Sequence, residues 1–462
     1  MSIFDPYIFR AYDMRGTYPT QMTEAAAYAA GQAFVHVMKA KNVVVGRDVR
    51  LSGPSIAEAL MQGVVDAGAN VINVGVISTE MLYYAAAKLD CDGGMSVTAS
   101  HLPGQWNGIK FIEKGAIPLA RDGKLGEIYD FINAGHKISE FEKGTIREEN
   151  IIDGYAELMQ TFIAKDMPHL KIVGNASFGA NGKLVDAVLK GTDVEMIKIN
   201  WNEDGHFPKG APDPLLPVNQ VEICDRIVSE SAHFGVAWDA DADRAFFYDE
   251  KGRFFNGYYI TALLIKYFLQ KEHGANVIGE RRLIWANQAA AKNGGGQLVF
   301  SQTGHGYIKM AMRENNAIFG GEMSGHFYYR DYFYCDSGMV TFLAIMSVFA
   351  EEIKNGGTVS GLLDAYLSEY PTSRQEFNYI TPKAEEIMKA ASEKYADAEQ
   401  NHLDGLTVDY PHFHINLRMS SNEPVLRLNY EAHTQEDLAT YGKEIEDFIT
   451  SFGATLRDDT HA

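Results

Sequence analysis

One pattern occurs three times along these 462 residues: a short apolar strand, a polar or glycine-bearing loop, a helix-like stretch, a glycine and a second apolar strand. The first copy runs from Asn42 to Gly75 ("NVVVGRD" to "AGANVINVG"), the second from Leu170 to Ile199 and the third from Asn276 to Gly304. Apolar runs of strand length alternating with helix-length stretches predict three α/β units with largely parallel strands. In the first copy Ser55 and Glu58 have the spacing of a capping box, and Gly68 is placed to stop the helix.

The chain from residue 371 onward is patterned differently. A helix is expected near Pro382 to Tyr395, strands in "GLTVDY", "FHINLR" and "VLRLNYEA", and a final helix from Thr434, which is an α+β layout. A single hydrophobic core stops growing at roughly 250 to 300 residues, so several domains are required. Boundaries are expected to give domains 1–150, 151–251, 252–370 and 371–462.

Apolar residues make up 46% and charged residues 22% of the chain, the balance of a soluble globular protein with a substantial core. The formal net charge of −20 argues against nucleic acid or an anionic membrane as partner, since both are bound through a basic face. Any anionic ligand must therefore meet a local cationic pocket. Cys91, Cys224 and Cys335 are widely spaced with no CxxC pair, so a disulfide framework is not expected and a cytoplasmic location is. The first residues lack the apolar stretch of a signal peptide. The longest apolar run, Gly338 to Ala350, is too short to span a bilayer and reads as a buried core helix.

Five stretches carry residues suited to chemistry. "TASHLPGQWNGIK" (98–110) sets Ser100 beside His101 in a loop of turn formers, with Lys110 beyond it as a cation or proton donor. Adjacent side chains on extended backbone point apart and the glycines of a nucleophile elbow are missing, so a hydrolase triad loses ground. Taken alone, the stretch also reads as an ordinary Ser/Pro/Gly loop. "VAWDADADRAFF" (236–247) places Asp239, Asp241 and Asp243 at alternate positions between two apolar runs, where three carboxylates can converge on a hard cation such as Mg²⁺. An EF-hand is excluded because Arg244 stands where its loop needs glycine; a solvated acidic turn stays open. "GGEMSGHFYYRD" (320–331) offers Glu322, Ser324 and His326 to sugar hydroxyls, or else a packed histidine among aromatics. "RMSSNEPVLRL" (418–428) gathers Arg418, Ser420, Ser421 and Asn422 in a turn before a strand, which is a phosphate cradle or a polar hairpin turn. "FRAYDMRG" (9–16) adds two arginines.

Together with "TGHGYIK" (303–309), these stretches in this order resemble the α-D-phosphohexomutase family over the whole chain, most like its bacterial phosphomannomutase/phosphoglucomutase branch. The resemblance implies three related mixed α/β/α domains and a C-terminal α+β domain around a central cleft. It implies Ser100 as phosphoryl carrier, with His101 beside it, and Mg²⁺ held by Asp239, Asp241, Asp243 and the phosphoserine oxygens. Lys110 becomes the candidate general acid/base, and Arg15 and Arg244 further basic residues of that centre. Glu322 and Ser324 are implied to grip ring hydroxyls. Arg418, Ser420, Ser421, Asn422 and Arg427 are implied to hold the distal phosphate, with Arg282, His305 and His326 at further substrate positions. The implied reaction interconverts hexose 1- and 6-phosphates through a hexose 1,6-bisphosphate, in a monomer or homodimer.

"GEMSGH" resembles the phosphomannomutase/phosphoglucomutase branch, and "YRDYFYCDSG" and the serine-asparagine phosphate loop look like bacterial phosphomannomutases, so the resemblance implies mannose phosphates first, with glucose phosphates or dual specificity next and phosphoglucosamine after them. A Mg²⁺-dependent sugar phosphatase and a non-catalytic sugar-phosphate sensor are the readings from other classes; Ser100, the three aspartates and Lys110 speak against the sensor. The chain departs from the family pattern at Ala240, between the first two aspartates, at Leu102, after Ser-His, and at Asn422 in the phosphate loop. Leu102 removes a polar side chain beside the nucleophile.

Overall fold

The computed structural model describes residues 5–136, 138, 142–373, 376–420 and 425–457. The chain divides into two compact units, Met1–Tyr248 with His326–Ser347, and Asp249–Gly325 with Val348–Ala462. All three repeats fold as strand, helix and parallel strand. Asn42–Arg47 lies beside Asn70–Val76 with helix Gly53–Asp66 between them. Leu170–Asn175 lies beside Val194–Ile199 across helix Asn181–Val188, and Asn276–Gly279 beside Gln297–Phe300 across helix Trp285–Asn293. A crossover long enough to hold a helix is what lets the chain re-enter the sheet in the same direction.

Each of the first two sheets also has an antiparallel flank, so the expectation of largely parallel strands holds only for their centres. Gly93–Val97 turns back as Trp106–Glu113, which pairs antiparallel with Asp13–Thr17. Phe234–Trp238 turns back as Ala245–Tyr248, and Phe327–Tyr329 as Cys335–Asp336. Connections this short can only reverse the chain. Two of the returns, 98–105 and 239–244, are the stretches singled out for chemistry.

The capping box expected at Ser55 and Glu58 does not form. Helix Gly53–Asp66 starts ahead of Ser55, with Pro54 in its first turn, and the Ser55 hydroxyl donates to the Ser52 carbonyl at 3.3 Å. Proline's preset φ starts the helix before the serine can act as a cap. Gly68, at φ 89°, does end it.

The C-terminal sheet has six strands, with the antiparallel run Leu406–Asp409, Phe413–Met419 and Val425–Ala432 inside it. Helices Ala384–Lys394 and Gln435–Ser451 contribute Ile387, Ala391, Ile445 and Ile449 to a core with Ile415, Leu417 and Leu428. Thr434 caps the last helix by accepting from the Asp437 amide. Helix Gly338–Lys354 buries Val340, Phe342, Leu343, Ile345 and Met346, as its apolar composition requires. Among the described residues no helix is long and apolar enough to cross a membrane.

Within the first unit, helix Thr79–Lys88 is pinned by a buried carboxylate. Glu80 accepts from the Tyr155 hydroxyl at 2.7 Å, from the Ser337 hydroxyl and from the Met339 amide at 3.2 Å. Burial outweighs these donors and pushes its pKa up to about 7. The folded protein therefore holds a proton on Glu80 that the unfolded chain has released, and stability falls as pH rises from the ordinary carboxylate value toward 7. Glu80→Gln removes that dependence. Urea denaturation at stepped pH should show the stability difference shifting in the variant's favour by roughly 3 kcal/mol between about pH 4.5 and 7.5. A pH-independent difference would show that Glu80 is ionised throughout.

Candidate active site

The strand Gly93–Val97 delivers the chain to Ser100, whose backbone sits in the left-handed region at φ 53°. A non-glycine residue there costs energy and must be held by its surroundings. The hold comes from Thr98, whose hydroxyl accepts from the Ser100 amide at 2.9 Å, and from Arg50. The buried Arg50 guanidinium donates to the carbonyls of Ser100, Leu102, Pro103 and Trp106 at 2.6 to 3.0 Å and pairs with Asp48 at 3.1 Å. Nearly the whole loop is thus wrapped round one cation. Ser100 itself is 4% exposed, and its hydroxyl donates to Asp239 Oδ2 at 2.9 Å.

The three aspartates follow the strand Phe234–Trp238 on a tight turn in which Ala242 also has positive φ, 55°. Gly179 lies beneath it, where a Cβ would come within 2.3 Å of the Ala240 carbonyl oxygen. Asp239, Asp241 and Asp243 are buried, each offering a carboxylate oxygen within 4.8 Å of the others. Lys110, on the strand returning from the Ser100 loop, reaches Asp241 at 2.8 Å and Asp243 at 2.5 Å. Arg244 pairs with Asp239 at 2.8 Å. Thr79 donates to Asp241 Oδ2 at 2.5 Å, and Thr98 to the same oxygen at 3.3 Å.

The electrostatics follow from this crowding. Burial pushes Asp239 up to about 7 despite Arg244. Burial acts on Asp243 in the same direction, but Lys110 and His326 hold it well below the usual carboxylate range. Burial would lower Lys110, yet Asp241 and Asp243 raise it above its ordinary value, so it is an ammonium. His101, its Nδ1 3.2 Å from Ser100 Oγ, is driven well below the usual histidine range by burial and by Arg244 and Arg15, so its ring is neutral.

A divalent cation fits these carboxylates. Lys110 and Arg244 engage the Oδ2 atoms, while among the described residues buried Asp241 Oδ1 has no hydrogen-bond donor and buried Asp243 Oδ1 has only His326 Nε2, at 3.5 Å. Buried carboxylate oxygens without donors are costly unless a hard cation takes them. His326, Asp243 and Asp336 form a second group with ligand atoms within 4.8 Å. Arg15 lies on the strand Asp13–Thr17 opposite Gly108, two residues along from the Asp13–Lys110 pairing, and binds Asp13 at 2.5 Å. The first unit therefore brings together Ser100, His101, Lys110, Arg15, Arg244, His326 and the three aspartates. Asp48, Arg50, Thr79 and Thr98 were not found from sequence. For Arg50 and Asp48 the spacing in "GRDVR" is a signal, two opposite charges closing an apolar strand, but nothing local says what they hold.

The second unit gathers the other candidates. The Gly304 amide donates to Glu322 Oε1 at 2.9 Å, placing His305 at the start of helix His305–Glu314 beside Glu322. Glu280 links this loop to Arg282: it accepts from the Met323 amide at 2.7 Å, from Arg282 Nε at 2.8 Å and from the Thr303 hydroxyl at 3.0 Å. Arg418 and Arg427 stand directly opposite each other on paired strands. Ser324 and Ser420 are half-buried, and the Ser420 amide donates to the Val425 carbonyl at 3.0 Å. Ser421 and Asn422 lie outside the described residues.

Models of the phosphoglucomutase/phosphomannomutase family match in four consecutive parts: alpha/beta/alpha domain I at residues 6–138, domain II at 152–252, domain III at 256–370 and the C-terminal domain at 376–448. A phosphomannomutase of Escherichia coli is 37% identical over 451 residues, covering 96% of this chain and 98% of its own. The chain belongs to this family. It is a phosphohexomutase. A protein of Xanthomonas campestris named for phosphohexose mutases is 35% identical over 92% of this chain and 94% of its own. The crystal structure of a phosphoglucomutase/phosphomannomutase family protein from Burkholderia thailandensis superposes with a TM-score of 0.87 at 28% identity, covering 98% of this chain and all of that one.

Proposed function

We propose that this phosphohexomutase is a phosphomannomutase that interconverts mannose 1- and 6-phosphates through a phosphorylated Ser100 and a hexose 1,6-bisphosphate. The observation that carries the reading is the Ser100 hydroxyl 2.9 Å from Asp239, inside a buried cluster of three carboxylates, with ammonium and guanidinium groups on the same cluster. A phosphoryl group needs positioning and charge more than it needs an activated nucleophile.

Asp239, Asp241 and Asp243 would hold Mg²⁺ with an oxygen of the phosphoserine. When bound, the ion supplies Lewis-acid polarisation of the transferring phosphoryl oxygens. In the transfer the Ser100 Oγ–P bond breaks as the bond from the sugar hydroxyl oxygen to phosphorus forms. Lys110, kept as an ammonium by Asp241 and Asp243, hands a proton to Oγ, and the proton of the sugar hydroxyl replaces it. Arg244 and Arg15 offset the charge of the phosphoryl oxygens, and the neutral His101 ring hydrogen-bonds Oγ. The intermediate turns end for end and returns its other phosphate to Ser100. The distal phosphate in either pose is gripped by Arg418, Arg427 and Ser420 with Ser421 and Asn422; Arg282, His305 and His326 contact the substrate, and Glu322 and Ser324 its ring hydroxyls. Free cysteines at 91, 224 and 335 suit a cytoplasmic enzyme.

Preference for mannose is supported by the names of the E. coli relatives, and glucose is the second reading because the family description names both sugars. Coupled assays on mannose, glucose and glucosamine 1-phosphates side by side test this. The highest kcat/KM should fall on mannose 1-phosphate, and phosphate release without isomerisation would point to a phosphatase instead.

Glu322→Gln should cost about 1 to 3 kcal/mol in kcat/KM, because one buried acceptor oxygen becomes a donor facing a hydroxyl. The loss should differ between mannose and glucose phosphates. Equal, unchanged kinetics on both would move sugar recognition to other residues.

A further inference from the structure

Arg418 and Arg427 are cross-strand neighbours, an arrangement in which like charges repel. What holds them is Glu376, which enters from the start of the adjoining strand Phe377–Ile380. Its Oε1 binds Arg427 at 2.9 Å, and its Oε2 lies 3.1 Å from Arg282, 3.1 Å from Asn429 and 3.5 Å from Arg418. Burial would raise this carboxyl, but the three guanidiniums bring it down to about 2.

The match is incomplete at Arg418. Glu280, the nearer carboxylate of Arg282, is also taken up by Thr303 and the Met323 amide. Arg418 meets Glu376 only at the 3.5 Å edge of bonding, and its buried Nε has no hydrogen-bond partner among the described residues. A buried guanidinium with an unmatched N–H group and only a marginal ion pair can take one more anion.

We propose that Glu376 is an internal stand-in anion: it keeps Arg282, Arg418 and Arg427 together in the unliganded chain and opposes the substrate's distal phosphate when that phosphate binds the same arginines. The inference rests on the phosphate-cradle reading above and adds a consequence to it. The bisphosphate must be released from this grip to turn end for end, and a fixed negative charge beside the arginines keeps the grip weak enough. Carboxylate and phosphate are then thermodynamically opposed, since each weakens the arginines' attraction for the other.

The test uses the full chain and inorganic phosphate. Titration calorimetry of Glu376→Gln should show phosphate bound about ten-fold tighter or more than by the parent, the scale expected from removing one charge a few ångströms away. The variant should melt lower than the parent without phosphate and gain more in Tm when phosphate is added. If Glu376→Gln does not fold alone, saturating phosphate should restore its fold, and a variant still unfolded there overturns the proposal. Arg418→Ala separates the two readings. If it loses phosphate affinity while Glu376→Gln gains none, the cradle stands and the stand-in role is wrong. If it binds phosphate as the parent does, the cradle reading falls and takes the Glu376 inference with it.

Discussion

Ser100→Ala should fold, carry no phosphate and lose at least about 10⁴-fold in mutase turnover, because no other side chain can occupy the covalent step. The side chain's structural bonds are few, to Asp239 at 2.9 Å and to His101 at 3.2 Å, so the cost in stability is about 1 kcal/mol. The loop is held by groups the substitution leaves intact. Arg50 binds backbone carbonyls and Thr98 binds the backbone amide, so the left-handed turn at residue 100 persists. Intact-mass measurement of parent and variant, with a coupled assay started by hexose 1,6-bisphosphate, checks this. A phosphoryl adduct on the variant, or turnover within ten-fold of the parent, would assign the carrier to another residue.

Asp241→Asn is expected to have the next largest effect, about 10²-fold or more in kcat/KM with a matching rise in the Mg²⁺ concentration needed. The substitution keeps the shape and removes one charge. Asp241 Oδ2 is the shared acceptor of Lys110, Thr79 and Thr98, while Oδ1 is the buried oxygen without a donor. An amide placed there turns either an anchor or the cation-facing oxygen into an N–H group, so cation affinity falls whichever way it sits. Binding of Mn²⁺, followed spectroscopically without substrate, gives a readout independent of turnover. Full activity of the parent in excess chelator, or unchanged cation binding by the variant, would remove these carboxylates from the reaction.

Much of the architecture is legible in the residue order because its causes are local. Apolar strands separated by helix-length stretches can only re-enter a sheet in parallel, and all three repeats do. Alternate aspartates between two apolar runs must share a turn at a strand end, and Asp239, Asp241 and Asp243 do. The capping box failed on a local competition, Pro54 starting the helix ahead of Ser55. What the residue order leaves open is every relation made across long separations. Lys110 stands ten residues after Ser100 in the sequence, but nothing there shows its ion pairs to Asp241 and Asp243, 131 and 133 residues away, which keep it an ammonium. Arg50 carries no mark that it organises carbonyls some fifty residues on, and Glu376 none that it sits among Arg282, Arg418 and Arg427. Periodicity and turn chemistry are properties of neighbouring residues and can be read along the chain. Which charge neutralises which depends on burial and on distances of a few ångströms, and these exist only once the sheets have brought distant loops together.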